Sequence, residues 1–122
     1  MRVFKIKSFM RFARRARIRD ADLLEAIDRA GRGLVDADLG GGLIKQRIAR
    51  PGQGRSGGFR TVIAYQARNR AVFLYGFAKS ERDNIDDNEL DALCKIAAVW
   101  FKANTAALAK QVSEGLAEEV KA

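Results

Sequence analysis

Five cations fall within the sixteen residues "KQRIARPGQGRSGGFR", positions 45–60: Lys45, Arg47, Arg50, Arg55 and Arg60. Neither an acid nor a histidine interrupts them. Lys79 and Arg82 follow in "GFAKSERDNI", where Glu81 is the only acid between residues 43 and 82. Cations at this density can orient a phosphate and stabilise charge that builds on it during reaction. The chain has no histidine, which excludes a two-histidine ribonuclease. With Cys94 as the one cysteine, a zinc set is not available either. The clustered carboxylates that metal-dependent phosphoryl transfer requires are missing from the pattern. One chemistry remains, metal-free attack by an RNA 2′-hydroxyl on its own adjacent phosphate. The substrate supplies the nucleophile, and the protein supplies orientation, positive charge and two proton transfers. A lysine crowded by other cations has its charged form disfavoured and becomes a possible base; Glu81 is its rival. No metal and no small-molecule cofactor is expected.

Taken singly, each of these cations reads as a solvated surface residue. As a group they do not, because a bland surface interleaves acids among its cations. The glycines of "PGQGRSGG" let a backbone approach a ligand closely, but the segment lacks the Gly-Lys-Ser/Thr ending of a nucleotide-binding loop. The load therefore falls on the flanks, where Lys45 and Arg47 share one face of a strand and Arg60 opens the next. Arg50 and Arg55 are expected to add contacts to the RNA backbone, and so is Arg82.

The elements that must hold these residues follow from periodicity. "RVFKIKSF" alternates as a first strand. A helix through "FMRFARRAR", capped by Ser8, and a second through "ADLLEAIDRAGRG", capped by Asp20, form a helical hairpin. After the break at "GGG", "LIKQRIA", "FRTVIAYQ" and "RAVFLYGFA" read as three successive antiparallel strands joined by "PGQGRSGG" and "ARN". Asp86 and Glu89 open a last helix as a capping box, with Leu90, Leu93, Ala97, Trp100 and Phe101 along its apolar side. Asn104-Thr105 breaks that helix before a weakly amphipathic end. The class is α+β, with helices on one face of a small twisted antiparallel sheet. Phe59, Phe73 and Phe77 are expected in the core, Tyr65 and Tyr75 closer to the surface, and Cys94 as a small buried hydrophobe.

A chain of 122 residues fits one domain, here 1–122. The net charge of +8 implies a polyanionic partner, most often nucleic acid. Its distribution says more than its total. Residues 1–19 carry eight Lys/Arg and no acid, and residues 43–82 carry nine against one. The segments between and after are acidic. Two basic blocks describe a working surface if the fold brings them together. No run is apolar for long enough to cross a membrane. The basic start lacks the apolar block of a secretory signal, so the expected location is cytoplasmic.

The run "DADLGGGLIKQRIARPGQGRSGGFRTVIAYQ" with "VFLYGFAKSERDNI" resembles the RelE/ParE superfamily of bacterial type II toxins, in particular its RelE-type, HigB-like branch. The resemblance covers nearly the whole chain and is weakest after about Asn104. It implies a small antiparallel sheet with two N-terminal helices and a variable C-terminal helix. It also implies a ribosome-dependent mRNA endonuclease held inactive by a cognate antitoxin. On the family pattern Lys45 and Arg47 match the paired basic residues after the helical hairpin. Arg60 matches the arginine after the Gly-aromatic pair, while Lys79 and Arg82 fall in the basic segment after the last strand. Two positions depart: Ser80 stands where the pattern has a further arginine, and no tyrosine lies near Asp86. Tyr65 or Tyr75 would have to substitute for it. Two other readings stay open on the same fold, a ParE-like inhibitor of DNA gyrase and a non-catalytic nucleic-acid-binding module. The antitoxin either lays an acidic segment over Lys45, Arg47 and Arg60 or docks on the helices.

Overall fold

The computed structural model describes residues 1–50 and 54–121, with backbone alone for residues 54–56. In chain order the elements are β1 (Arg2–Ile6), α1 (Lys7–Ala16), α2 (Asp20–Gly31), β2 (Ala37–Gly40), β3 (Leu43–Arg50), β4 (Gly54–Gln66), β5 (Arg70–Ala78), α3 (Asp87–Lys102), α4 (Thr105–Ser113) and β6 (Ala117–Glu119). The strands form one sheet in the order β2-β3-β4-β5-β1-β6.

The α+β class is as the periodicity predicts, and four details differ. First, the sheet is mixed. β1 pairs parallel to β5, while the other pairings are antiparallel. The chain leaves β1 through two helices before it returns, and such a crossover permits parallel pairing. Second, two short edge strands, β2 and β6, join the expected four. Third, "PGQGRSGG" is largely strand: β4 already begins at Gly54, and residues 51–53 lie outside the described residues. Fourth, helices cover both faces. α1 and α2 pack on Val3, Ile44, Ile48, Phe59, Ile63 and Phe73. α3 and α4 pack on Phe4, Leu43, Val62, Ala64, Val72 and Leu74. The near-continuous apolar runs "TVIA" and "AVFL" are the sequence mark of strands buried on both sides.

The helix ends also separate prediction from finding. α1 starts one residue before Ser8, with Ile6 as its N-cap and no side-chain cap. α2 is capped at Arg19 rather than Asp20, and Asp22 accepts the Arg19 N–H at 3.0 Å. At α3 the expected box is present: Asp86 accepts from Glu89 N–H at 2.8 Å, and Glu89 accepts from Asp86 N–H at 3.0 Å. Asn104 ends α3 and caps α4 by accepting the Ala107 N–H at 2.8 Å. Arg70 adds a cation at the α3 C-terminus, donating to the Trp100 and Ala103 carbonyls.

The glycine break serves two purposes. Gly41 and Gly42 both have positive φ, which turns β2 into β3. A Cβ at Gly42 would also stand 2.5 Å from the Phe101 ring, so the turn lets α3 lie close over the sheet. Cys94 packs there, half-buried rather than fully buried, against the α3-side core.

Candidate functional site

The helix layers do not reach equally far. On the α1/α2 face, Ile44, Ile48, Phe59, Ile63, Phe73 and Ala78 are all buried. On the other face α3 covers Leu43, Val62, Ala64 and Leu74. Beyond them the same strands carry Lys45, Arg47, Arg60, Tyr75 and Phe77.

Register places these residues in rows. Arg47 of β3 stands opposite Arg60 of β4, and Arg60 stands opposite Phe77 of β5. One row over, Lys45, Val62 and Tyr75 are aligned. Directly opposed residues have Cβ atoms about 4.5–5.5 Å apart, so the Arg47–Arg60 juxtaposition is repulsive unless something compensates. Lys79 follows β5 in the turn and donates its backbone N–H to Gly58 at 3.3 Å. The fold thus brings Lys45, Arg47 and Arg60 to one face, with Lys79 just past the end of the neighbouring strand. Lys45 is half-buried, Arg60 is only 8% exposed and Lys79 is exposed. Among the described residues no ion pair is made by Lys45 or Lys79.

Two of the predicted cations are tied to carboxylates, Asp36 and Glu89, that the sequence did not mark as their partners. Asp36 accepts the Arg47 backbone N–H at 2.7 Å through one oxygen. Through the other it accepts the Arg47 guanidinium at 3.2 and 3.0 Å. This draws Arg47 toward the β2 edge and offsets its repulsion with Arg60. Behind the strand, Arg29 of α2 is only 4% exposed. It donates to the Arg47 carbonyl at 2.6 Å and to Glu25 at 2.7 Å, and sits 3.6 Å from Asp36. Burial pushes the Asp36 carboxyl up, but the Arg47 N–H, its guanidinium and the Arg29 charge outweigh this and hold it below the usual range.

Arg82 is the second tied cation. It forms a forked pair with Glu89 at 2.8 and 2.5 Å, donates to the Tyr75 hydroxyl at 3.0 Å and lies over the Phe77 ring at 5.5 Å. The hydrogen bonds from Arg82, helped by the Asp86 N–H, hold the Glu89 carboxyl down to about 2. The Arg82 guanidinium is correspondingly raised, chiefly by Glu89. Arg82 is therefore a strut from the end of β5 to the start of α3, at the rim of the cationic face. A signal was available: Glu89 already belonged to a readable capping box seven residues on.

The remaining positions separate. Arg50 lies on the reverse face, its guanidinium 5.5 Å from the Phe59 centroid. Glu81 is exposed in the turn after β5, with its N–H on the Ala78 carbonyl at 3.0 Å. Arg55 belongs to β4 by its backbone, and its side chain lies outside the described residues. Tyr75 stands half-buried in the row of Lys45, the place where a tyrosine could replace the one missing near Asp86. Among the described residues no group of three or more acidic or thiol side chains could hold a metal ion. No helix among them is long and apolar enough to cross a membrane.

A mixed six-stranded sheet in this order, with helices on both faces and cations aligned on its central strands, defines a small α+β protein. The family profile described as "RelE toxin of RelE / RelB toxin-antitoxin system" matches residues 1–120. The chain belongs to the RelE toxin family, and it is the toxin of a toxin–antitoxin pair with an antitoxin as partner. No curated protein matches it.

Proposed function

We propose that this toxin is a ribosome-dependent mRNA endonuclease that cuts through the RNA's own 2′-hydroxyl. The observation that carries the reading is the alignment of Lys45, Arg47 and Arg60 on one face of two paired strands, with Lys45 and Arg47 half-exposed and Arg60 nearly buried between them and β5. Strands hold side chains more firmly than loops do, as transition-state stabilisation requires.

In the reaction the 2′-oxygen attacks phosphorus as it loses its proton. The 5′-oxygen leaves and takes a proton. The products are a 2′,3′-cyclic phosphate and a 5′-hydroxyl. Arg60 meets the non-bridging oxygens, where negative charge grows. Arg47, held on one edge by Asp36, keeps its Nη1 donors for the phosphate. Lys79 neutralises the adjoining phosphate, Arg55 adds a further contact to the RNA backbone, Tyr75 offers a ring for stacking, and Arg50, on the reverse face, takes no part in this step. Lys45 and Glu81 compete for the first proton, and full activity in Glu81→Gln assigns it to Lys45. The step draws on no metal or small-molecule cofactor, and its setting is the cytoplasm, where ribosomes and mRNA are.

Induced expression followed by mapping of mRNA 5′ ends, with and without ribosomes, tests the reading. Cuts inside translated codons support it. Intact mRNA with blocked DNA supercoiling would assign the fold to gyrase inhibition instead.

A further inference from the structure

The first basic block plays no part in the site above. Its arginines have a place of their own. β1 pairs with β5 only as far as Lys5 and Phe73, and the chain then turns into α1 at Lys7. From Leu74 to Ala78, β5 therefore has β4 on one side and no strand on the other. Two clefts of about 560 and 700 Å³ open along this edge. They share Phe12, Arg15, Tyr75 and Gly76, so they form one continuous groove. Arg11 and Arg14 line its first part, and Arg17 and Arg50 its second.

The two basic blocks meet here, since Arg17 belongs to one and Arg50 to the other. Arg11, Arg14, Arg15, Arg17 and Arg50 form no ion pair among the described residues. α1 itself contains no acid, and Glu81 is the one carboxylate lining the groove. The Lys79 N–H points to β4, so by alternation Gly76 turns its N–H and C=O away from β4, toward the groove. Gly76 also lets α1 approach, because a Cβ there would stand 2.4 Å from the Phe12 ring. Tyr75 lines both clefts and also stands in the row of Lys45 and Val62, so it borders both surfaces.

We infer that this groove is a second RNA site, a track for the phosphodiester backbone of the strand leaving the cut. The inference rests on the nuclease reading for its direction, though not for its chemistry. Guanidinium groups grip phosphate in two-point fashion, and a half-exposed tyrosine stacks on any base. The partner is RNA rather than an acidic protein segment because the groove sets five arginines without ion pairs beside an aromatic ring, a pairing that suits phosphates and a stacked base together.

The test uses the full chain and an uncuttable ten-nucleotide 2′-O-methyl RNA. Affinity is measured against salt for the wild type, for Arg11→Ala/Arg14→Ala/Arg15→Ala and for the corresponding triple Arg→Lys variant. Each lost single-strand phosphate contact lowers the log–log salt slope by about 0.7, so the alanine variant should lose about 2 in slope. The lysine variant should keep the wild-type slope, which separates lost charge from lost fold. A change seen on ribosomes but not on the oligonucleotide assigns these arginines to ribosomal RNA and overturns the track for the leaving strand. An unchanged slope in both settings overturns it. RNA binding left intact while binding to a polyglutamate peptide falls also overturns it, in favour of an acidic protein. If the slope falls as expected but the wild type cuts no RNA, the nuclease reading fails and the track stands.

Discussion

The two faces of the sheet are made by the same strands and finished differently. On one face α1 and α2 run far enough to bury Ile48, Phe59 and Ala78 at the far end of β3, β4 and β5. On the other, α3 stops over Val62 and Leu74, and beyond them stand Lys45, Arg47, Arg60 and Phe77. Burial on both faces would demand apolar residues throughout, as in strands covered on both sides. The switch from apolar to cationic residues along one face marks where the α3 cover ends. The sheet supplies rigidity to both regions; at the second, Lys45 and Arg47 reach solvent past the end of α3 while Arg60 and Phe77 stay buried beside them.

The comparison can be broken most severely at the uncovered end. Lys45→Ala or Arg60→Ala should lower RNA cutting about a hundredfold or more, the usual scale for losing one group that stabilises developing charge. Lys45→Ala should leave the melting temperature close to wild type; Arg60 is buried, so its variant needs that measurement before its activity is interpreted. At the covered end, Leu74→Ala should do the opposite. Leu74 is 1% exposed, and its truncation should cost about 2–5 kcal/mol in denaturant unfolding while the folded fraction still cuts RNA.

A smaller effect sharpens the boundary. Asp36→Ala removes the acceptor of the Arg47 backbone N–H and the clasp on its guanidinium. It should cost about 1–2 kcal/mol of stability and lower the cutting rate more than RNA affinity. In a double-mutant cycle with Arg47→Ala, most of the loss should be shared between the two changes.

The smallest effect is electrostatic. Glu89 has its folded value lowered from 4.5 to about 2 by Arg82, so the pair stabilises the fold above the unfolded value and loses that contribution as pH falls toward 2. The gap in melting temperature between wild type and Glu89→Gln should be steady above about pH 5 and close progressively below it.

Much of this was legible in the chain. Alternation in "LIKQRIA" put Lys45 and Arg47 on one face, and the Asp86–Glu89 box fixed the start of α3. Asn104 marked its end. What stayed hidden depends on distant pairing. "ADLG" and "AEE" are too short to alternate, and they become strands only because β3 and β1 offer them an edge. Asp36 sits in an acidic stretch with nothing to distinguish it from its neighbours until β2 folds against β3. Arg29 stands four residues after Glu25, the spacing of an ordinary exposed helix pair, and only the approach of β3 buries it. The meeting of the two basic blocks needed the parallel β1–β5 pairing, which no local pattern announces.

The central claim is that the uncovered face cuts RNA through the substrate's 2′-hydroxyl. The most direct measurement is the chemistry of the ends made when purified toxin acts on ribosomes programmed with a single mRNA. A 2′,3′-cyclic phosphate upstream and a 5′-hydroxyl downstream, formed within a translated codon and lost in Lys45→Ala, is the predicted result. Uncut mRNA, or cutting that persists unchanged in Lys45→Ala, Arg47→Ala and Arg60→Ala, would contradict it.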